Sequence, residues 1–155
     1  GQRDEIYHAY AEYTDTYVVN CTEGTSVGNC AYEHHIYQQG YRRYGRSMGS
    51  TFDSDARVFT LGLSHTQVGG HSWYGKLKYM QLNADNSNRE WIPGQPVINP
   101  VSEFAQDRFQ IEGGYSFPLK GGLFNVEASV FHSQIDETNE SDTDGILKAS
   151  WEYHF

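Results

Sequence analysis

The sequence has no apolar run long enough to form a membrane-spanning helix, which needs about 20 consecutive apolar residues. Only 37% of its 155 residues are hydrophobic, and the mean hydropathy is -0.68. A soluble globule usually carries more Leu, Ile and Val than this. Aromatic residues nevertheless reach 15% of the chain, with 12 Tyr among them. The composition therefore excludes a helical membrane protein and fits a chain whose apolar residues occupy only alternate positions.

Basic residues and cysteines are also scarce. The chain has 11 Lys and Arg against 20 Asp and Glu, a net charge of -9, which disfavours nucleic acid as a partner. The two cysteines, Cys21 and Cys30, lie in a stretch rich in Gly, Ser and Thr. In an exported protein this pattern predicts a loop disulfide, and in a cytosolic protein it indicates two free thiols. We predict the disulfide. The start at Gly1, without an initiator Met, is typical of a cleaved, mature product.

The last ten residues alternate between two kinds of side chain. Apolar residues occupy one face of an extended strand, and Lys148, Ser150, Glu152 and His154 occupy the other. In an outer-membrane β-barrel, lipid contacts the apolar face, and an aromatic residue lies at the interface. The pattern resembles the C-terminal signal that bacterial outer-membrane proteins present to their assembly machinery. Its members here are Trp151, Tyr153 and Phe155.

Six segments show the two-residue period of strands, at about 5–13, 57–67, 72–82, 104–117, 124–134 and 146–155. Each is long enough to cross a bilayer, which takes about 9–11 tilted residues. We therefore predict an all-β fold, an antiparallel transmembrane β-barrel of the outer-membrane type. The alternative is a secreted β-sandwich, in which the apolar faces would form a dry core between two sheets.

The predicted connections alternate in length. Those at 68–71 and 118–122 are short and contain glycines, whereas those at about 14–56, 83–103 and 135–145 are long. Membrane barrels have short periplasmic turns and long external loops, so the long connections are predicted to face the cell exterior. Six strands are too few to close a barrel, because the smallest have about eight. Residues 1–155 are therefore predicted to form the C-terminal part of one barrel domain. A preceding segment or a second chain would supply the remaining strands.

The first long connection carries a specific motif. Glu12-Tyr13-Thr14-Asp15-Thr16 is followed by a run from Asn29 to Asp55 that contains Tyr32-Glu33-His34-His35-Ile36-Tyr37-Gln38-Gln39-Gly40-Tyr41-Arg42-Arg43, Gly45-Arg46 and Asp53-Ser54-Asp55. This stretch resembles the capsule-assembly Wzi family, whose members carry Glu-Tyr-x-Asp-Thr, a Tyr-x-His-x-x-Tyr-x-x-Gly-Tyr-Arg-like run, Gly-Arg and Asp-x-Asp. The cysteine pair has no counterpart in that pattern.

The resemblance implies an outer-membrane barrel of about eighteen strands, of which this chain covers the last third. It also implies a lectin that holds capsular polysaccharide on the cell surface. Capsular or related exopolysaccharide and outer-membrane lipid are then the partners. The alternative function is an outer-membrane porin or exporter for anionic sugar polymers.

The candidate carbohydrate-binding residues combine aromatic rings, which pack on the C–H surfaces of sugars, with arginines, which suit a bidentate contact with a sugar carboxylate. The alternative is structural: these arginines pair with Glu33, Asp53 and Asp55, the tyrosines form an interfacial girdle, and the tryptophan plugs the space under its loop. The candidates are Tyr41, Arg42, Arg43, Tyr44 and Arg46 in the first long connection and Trp91 in the second.

No cofactor, metal or catalytic group is predicted. Adjacent histidines such as His34 and His35 point apart and have no partner at ligand spacing. The acidic residues between Asp136 and Asp144 lack the spacing of a calcium loop and indicate a solvated loop. No nucleophile elbow, phosphate-binding loop or zinc-protease motif is present.

Overall fold

The computed structural model describes residues 5–18, 31–32, 42–43, 46–52, 54–84, 86, 89–92, 95–97 and 101–153. Among these residues there is no helix long and apolar enough to cross a membrane. The strands are β1 (Glu5–Asp15), β2 (Arg42–Arg43), β3 (Arg46–Ser47), β4 (Ala56–Gln67), β5 (Ser72–Leu82), β6 (Arg89–Ile92), β7 (Gln95–Val97), β8 (Gln106–Leu119), β9 (Gly122–Ile135) and β10 (Glu140–Tyr153).

Six of these strands form one antiparallel sheet in the order β1-β4-β5-β8-β9-β10. Each strand therefore pairs with the next long strand of the chain, as in a meander. The predicted all-β antiparallel fold is confirmed. The described residues contain one large sheet and two small hairpins, β2–β3 and β6–β7, so they do not form the two stacked sheets of the sandwich alternative.

The register places the apolar side chains of all six strands on one face, because residues directly opposite each other in a ladder share a face. Leu61 pairs with Leu77, which pairs with Ile111, which pairs with Val130. We call this the apolar face and the opposite one the polar face. No described element outside the sheet packs on the apolar face, and Leu77 and Ile111 keep 43% and 50% exposure. A contiguous exposed apolar surface of this kind marks contact with another apolar phase or partner.

Aromatic rings border the apolar face in two rows. One row, near the long connections, is Tyr13, Phe59, Tyr79 and Phe109, which are paired in that order. The second row lies near the short turns, and the two rows are separated on β5 by the six positions from Trp73 to Tyr79, about 20 Å along a strand. An apolar band between two aromatic girdles is typical of membrane barrels. The second row comprises Tyr7, Trp73, Tyr115, Phe117, Phe124, Trp151 and Tyr153.

The connections fall on two edges of the sheet. The turn edge carries residues 68–71 and 120–121, and the loop edge carries 16–55, 83–105 and 136–139. Lys120 and Gly121 both have positive φ, 49° and 81°, as a two-residue type I′ hairpin requires. At the C-terminus, the Trp151 ring contacts Tyr153 at 5.6 Å between centroids, and its Nε1 donates to the carbonyl of Leu119. Phe155 lies outside the described residues.

The third connection at the loop edge is shorter than the sequence predicts. The alternating segments predict a loop over about 135–145, but β9 continues to Ile135 and β10 begins at Glu140, which leaves only 136–139. Asp142 pairs with Ser133 and Asp144 pairs with Phe131 in the ladder. Ladder hydrogen bonds involve the backbone, so charged side chains do not prevent a strand from continuing.

A small hydrophobic core lies at the loop edge of the polar face. Ala56, Val58, Met80 and Leu82 are buried together, with Phe52 packed against them. Val58 pairs with Met80, and Ala56 pairs with Leu82, on the same face as Thr60 and Lys78. The polar face is therefore apolar next to the loop edge, where Phe52 of the connection between β1 and β4 packs on it.

Asn83 attaches the second long connection to this core. It follows β5 with a φ of 51°, it is 1% exposed, and its Nδ2 donates to the carbonyls of Ser102 (3.2 Å) and Glu103 (3.0 Å). We expect Asn83→Gly, which keeps the positive φ, to destabilise this connection by about 1–3 kcal/mol through loss of the two hydrogen bonds. Limited proteolysis of the folded protein would measure this as faster cleavage between residues 83 and 105.

Asn139 provides the matched control. It also has a positive φ, 52°, but it lies in the exposed 136–139 turn, where its Oδ1 accepts one bond from Gln134. We expect Asn139→Gly to change stability by only a few tenths of a kcal/mol, as is usual for surface substitutions. Equal cleavage of the 83–105 connection in the two variants would contradict the role of Asn83.

Candidate functional site

Four of the predicted carbohydrate-binding residues belong to two small hairpins on the loop edge: Arg42, Arg43, Arg46 and Trp91. Arg42 pairs with Ser47 and Arg43 pairs with Arg46, so the arginine-rich stretch forms the β2–β3 hairpin. Trp91 lies in β6, at a register shift between Glu90 and Ile92 in the β6–β7 hairpin. The backbone thus brings Arg42, Arg43 and Arg46 together. The positions of their side chains and that of Trp91, and all of Tyr41 and Tyr44, lie outside the described residues, as do Cys21, Cys30 and the predicted disulfide.

The bases of the two long connections are joined by buried hydrogen bonds. The Thr16 N–H donates to the Ala56 carbonyl (2.8 Å), and the Asp55 N–H donates to the Thr16 carbonyl (3.1 Å). The Ala84 N–H in turn donates to the Asp55 carbonyl. Thr16 and Asp55 are 8% and 0% exposed. The ends of β1, β4 and β5 therefore form one unit from which both connections emerge.

The same unit extends to β8 and β9. The Asn86 side chain accepts from the Ala105 N–H (2.9 Å), and the Asp136 N–H donates to the Ala105 carbonyl (3.1 Å). On the other face of the sheet, at the ends of β1 and β4, Arg57 Nε lies 3.6 Å from Asp15 Oδ2, and the Arg57 guanidinium lies 4.3 Å from the centre of the Tyr17 ring. These contacts give the loop edge a fixed base, and a binding surface gains affinity when its parts need little ordering on binding.

A polar cluster occupies the middle of the polar face. Lys76 Nζ lies 3.0 Å from Glu112 Oε1 across the β5–β8 pair and 5.1 Å from the centre of the Tyr74 ring. The Tyr74 hydroxyl lies near both Glu112 and Glu127. Because both partners are partly buried, this ion pair is better ordered than a surface pair. Lys76 and Glu112 thus form an ion pair across two neighbouring strands of the polar face.

Two tyrosines of the polar face lie over glycines of neighbouring strands. A Cβ added at Gly62 would stand 2.1 Å from the Tyr10 ring, and one added at Gly114 would stand 2.4 Å from the Tyr74 ring. Aromatic side chains that cover a glycine on the adjacent strand stabilise twisted sheets. These pairs, with Asn83, are the residues that sequence analysis missed. The glycines were visible, but the register that brings the rings over them was not.

Among the described residues, no group of three His, Cys, Asp or Glu side chains is arranged to hold a metal ion. Arg108, also on the polar face, lies 5.6 Å from the centre of the Phe131 ring. The side chains of the polar face can therefore bind a ligand through aromatic stacking and through hydroxyl, amide and charged groups.

Comparison with known proteins supports the same architecture. The model of the family "Capsule assembly protein Wzi" matches residues 3–145. Among solved structures, the chain is similar to Wzi of Escherichia coli, described as an outer-membrane protein involved in group 1 capsule assembly and as a carbohydrate-binding β-barrel. The TM-score is 0.64 at 23% identity, over 97% of this chain and 30% of that one. A search of curated proteins gave no match.

The structural similarity shows that the six-stranded sheet has the fold of part of a β-barrel. The chain spans about 30% of the length of the solved protein it matches. The similarity therefore concerns the fold of this part and does not assign the ligand of the whole protein to this chain. The family match, in contrast, runs through nearly the whole sequence. The resemblance noted in the residues between Glu12 and Asp55 is thus confirmed, and the chain belongs to the capsule assembly protein Wzi family.

Proposed function

We propose that this chain supplies six strands, the C-terminal part, of an outer-membrane β-barrel of about eighteen strands. Among the described residues β1 and β10 each pair with a strand on one side only. In lipid an unpaired strand edge costs several kcal/mol for each unsatisfied backbone group, so further strands must cover both edges. They come from a preceding segment or from a second chain. The apolar face and its two aromatic rows support lipid as the phase outside this wall.

The loop edge faces the cell exterior in this proposal, and the turn edge faces the periplasm. The two turn-edge connections are short, at 68–71 and 120–121. Connections 16–55 and 83–105 carry the extra hairpins, and long elaborated loops are the external ones in membrane barrels. The 136–139 turn lies on the loop edge but is short, so it does not help to decide which edge faces the cell exterior. The proposed orientation therefore rests on the other four connections.

The proposed activity is that of a non-enzymatic surface lectin that binds capsular or related exopolysaccharide and anchors it to the cell. The observation that carries this proposal is the family match over residues 3–145, together with the similarity to a barrel described as carbohydrate-binding. The residues proposed for binding are Arg42, Arg43, Arg46 and Trp91 of the two hairpins, together with Tyr41 and Tyr44 of the same long connection as the arginines.

We expect the double substitution Arg42→Ala with Tyr44→Ala to weaken retention of capsular polysaccharide by about 10–100-fold without impairing barrel assembly. The physical reason is that one charged hydrogen bond and one stacked ring contribute about 1–3 kcal/mol together. The measurement is binding of purified capsular polysaccharide to the complete protein in detergent, with assembly followed by heat-modifiable migration on gels.

Lys120→Asn is the control, because it removes one positive charge from the turn edge and Asn tolerates the φ of 49° at that position. It is expected to leave retention unchanged. Unaltered polysaccharide binding by the double variant would remove the β2–β3 hairpin from the site. Turnover of the polysaccharide by the purified protein would contradict a non-enzymatic function.

The alternative function is that of a porin or exporter for anionic sugar polymers, and a measurement of conductance tests it. The Lys76–Glu112 ion pair and the rings of Tyr10 and Tyr74 all occupy the polar face, which would be the lumen. A lectin needs no open pore, so the complete protein is expected to give no steady current in a planar bilayer, and a steady open current would favour transport.

A further inference from the structure

A cavity of about 220 Å³ opens on the polar face beside the polar cluster. It lies across β5, β8, β9 and β10 and is distinct from the loop-edge hairpins. Glu112 is six positions along β8 from Gln106, the first residue at the loop edge, which corresponds to about 20 Å. Its aromatic and polar lining is formed by Tyr74, Gln110, Glu112, Glu127, Ser129 and Lys148.

We propose that this cavity is a second carbohydrate subsite that takes one neutral sugar ring. The inference extends the proposed lectin function to the interior of the barrel and therefore rests on it. Sugar recognition needs an aromatic surface for the C–H face of the ring and several planar polar groups for its hydroxyls. The cavity offers both kinds of group within one small concave surface.

The aromatic wall is held in place by the sheet itself. The Tyr74 ring lies over Gly114, where any side chain would collide with it, so this glycine allows the ring to lie against the sheet. Lys76 and the two nearby carboxylates, Glu112 and Glu127, then surround the phenol. The ring is thus oriented before a ligand arrives, which reduces the entropy cost of binding.

The polar groups are also arranged in advance. Gln110 Nε2 donates to Ser129 Oγ at 3.2 Å across the β8–β9 pair, and Lys76 holds Glu112 at 3.0 Å. Glu127 and Lys148 face each other on β9 and β10 and are both exposed. Carboxylate oxygens accept from sugar hydroxyls, and the amide and ammonium groups donate to them.

The charges select the class of sugar. Two carboxylates, Glu112 and Glu127, are balanced by two ammonium groups, Lys76 and Lys148. Lys76 is paired with Glu112, and Lys148 faces Glu127. A uronic acid or sialic acid would therefore bring its carboxylate close to Glu127 with no further cation in the lining to offset the repulsion. A neutral hexose has no such repulsion. The subsite therefore differs from the arginine-rich hairpin, which suits acidic sugars.

The test is saturation-transfer NMR on the complete protein in detergent, with glucose, galactose, mannose and glucuronic acid as probes. We expect at least one hexose to receive saturation from the protein, with weaker transfer to glucuronic acid. Glu127→Gln should weaken hexose binding about tenfold, as expected for one hydrogen bond to a charged acceptor. Glu152→Gln, on the same face of β10 but outside the cavity, is the matched control and should leave binding unchanged.

The two proposals fail separately. If capsular polysaccharide binds but no hexose receives saturation, or if Glu127→Gln binds hexose like the wild type, the subsite is overturned and the surface lectin stands. Hexose transfer that survives in the Arg42→Ala, Tyr44→Ala variant supports an interior site independent of the hairpin. Hexose transfer that is lost in that variant places the sugar on the hairpin and overturns the subsite.

Discussion

Replacing Leu77 with arginine is expected to destabilise the folded protein by about 2–4 kcal/mol, the cost of a basic side chain on the lipid face near the middle of a bilayer. Leu77 lies on the apolar face between the two aromatic rows, 43% exposed and without a described element over it. In a soluble protein a half-exposed Leu to Arg change on the surface would cost a few tenths of a kcal/mol. The size of the loss in stability therefore shows whether lipid or water surrounds Leu77.

Gln81→Arg is the control for position in the membrane. Gln81 shares a strand and a face with Leu77 but lies beyond Tyr79, where the expected cost falls to about 0–1 kcal/mol. Urea unfolding of the complete protein in lipid vesicles measures both values. Similar costs for the two variants would contradict lipid as the contact of the apolar face. So would a compact monomer that dissolves in buffer without detergent.

Placing a methyl group at Gly62 is expected to cost about 1–3 kcal/mol, the range for overpacked sites. The added Cβ would stand 2.1 Å from the ring of Tyr10, which must then leave its place over the sheet or push β1 away from β4. β1 is the edge strand of the described sheet and carries the first long connection. Loss of this pairing would therefore affect the loop edge as well as the strand.

Gly75→Ala is the matched control, because nothing lies within 4 Å of a Cβ at that position. It should be neutral or slightly stabilising, since alanine loses less backbone entropy on folding than glycine. The double variant Gly62→Ala with Tyr10→Ala should be more stable than the sum of the single changes predicts, because the second change removes the collision. Additive losses, measured by unfolding in vesicles, would show that the ring and glycine do not interact.

The strands and their faces could be predicted from the sequence because a two-residue period specifies them locally. The predicted strand 72–82 coincides with β5, and the predicted apolar residues of every strand share one face in the observed register. A shift of one residue would have reversed every side chain. The alternation of apolar and polar residues thus predicted both the fold class and the face on which each side chain lies.

Strand ends were less predictable where the side chains become polar. The acidic residues after Ile135 indicated a loop, yet Glu140, Asp142 and Asp144 lie in β10. Beyond an apolar band, water can solvate both faces of a strand, so polarity no longer separates strand from loop. The expected loop at 135–145 was wrong for this reason.

By itself, the sequence determined the family, the six strands and the face that each residue occupies, because these depend on local spacing and short motifs. Only the tertiary structure decided which strand residues meet. It brought Tyr10 over Gly62, Tyr74 over Gly114 and Lys76 beside Glu112, and it joined the loop edge through Thr16, Asp55 and Asn83. These contacts join residues 19 to 52 positions apart in the chain, and no local pattern specifies which distant residues will meet.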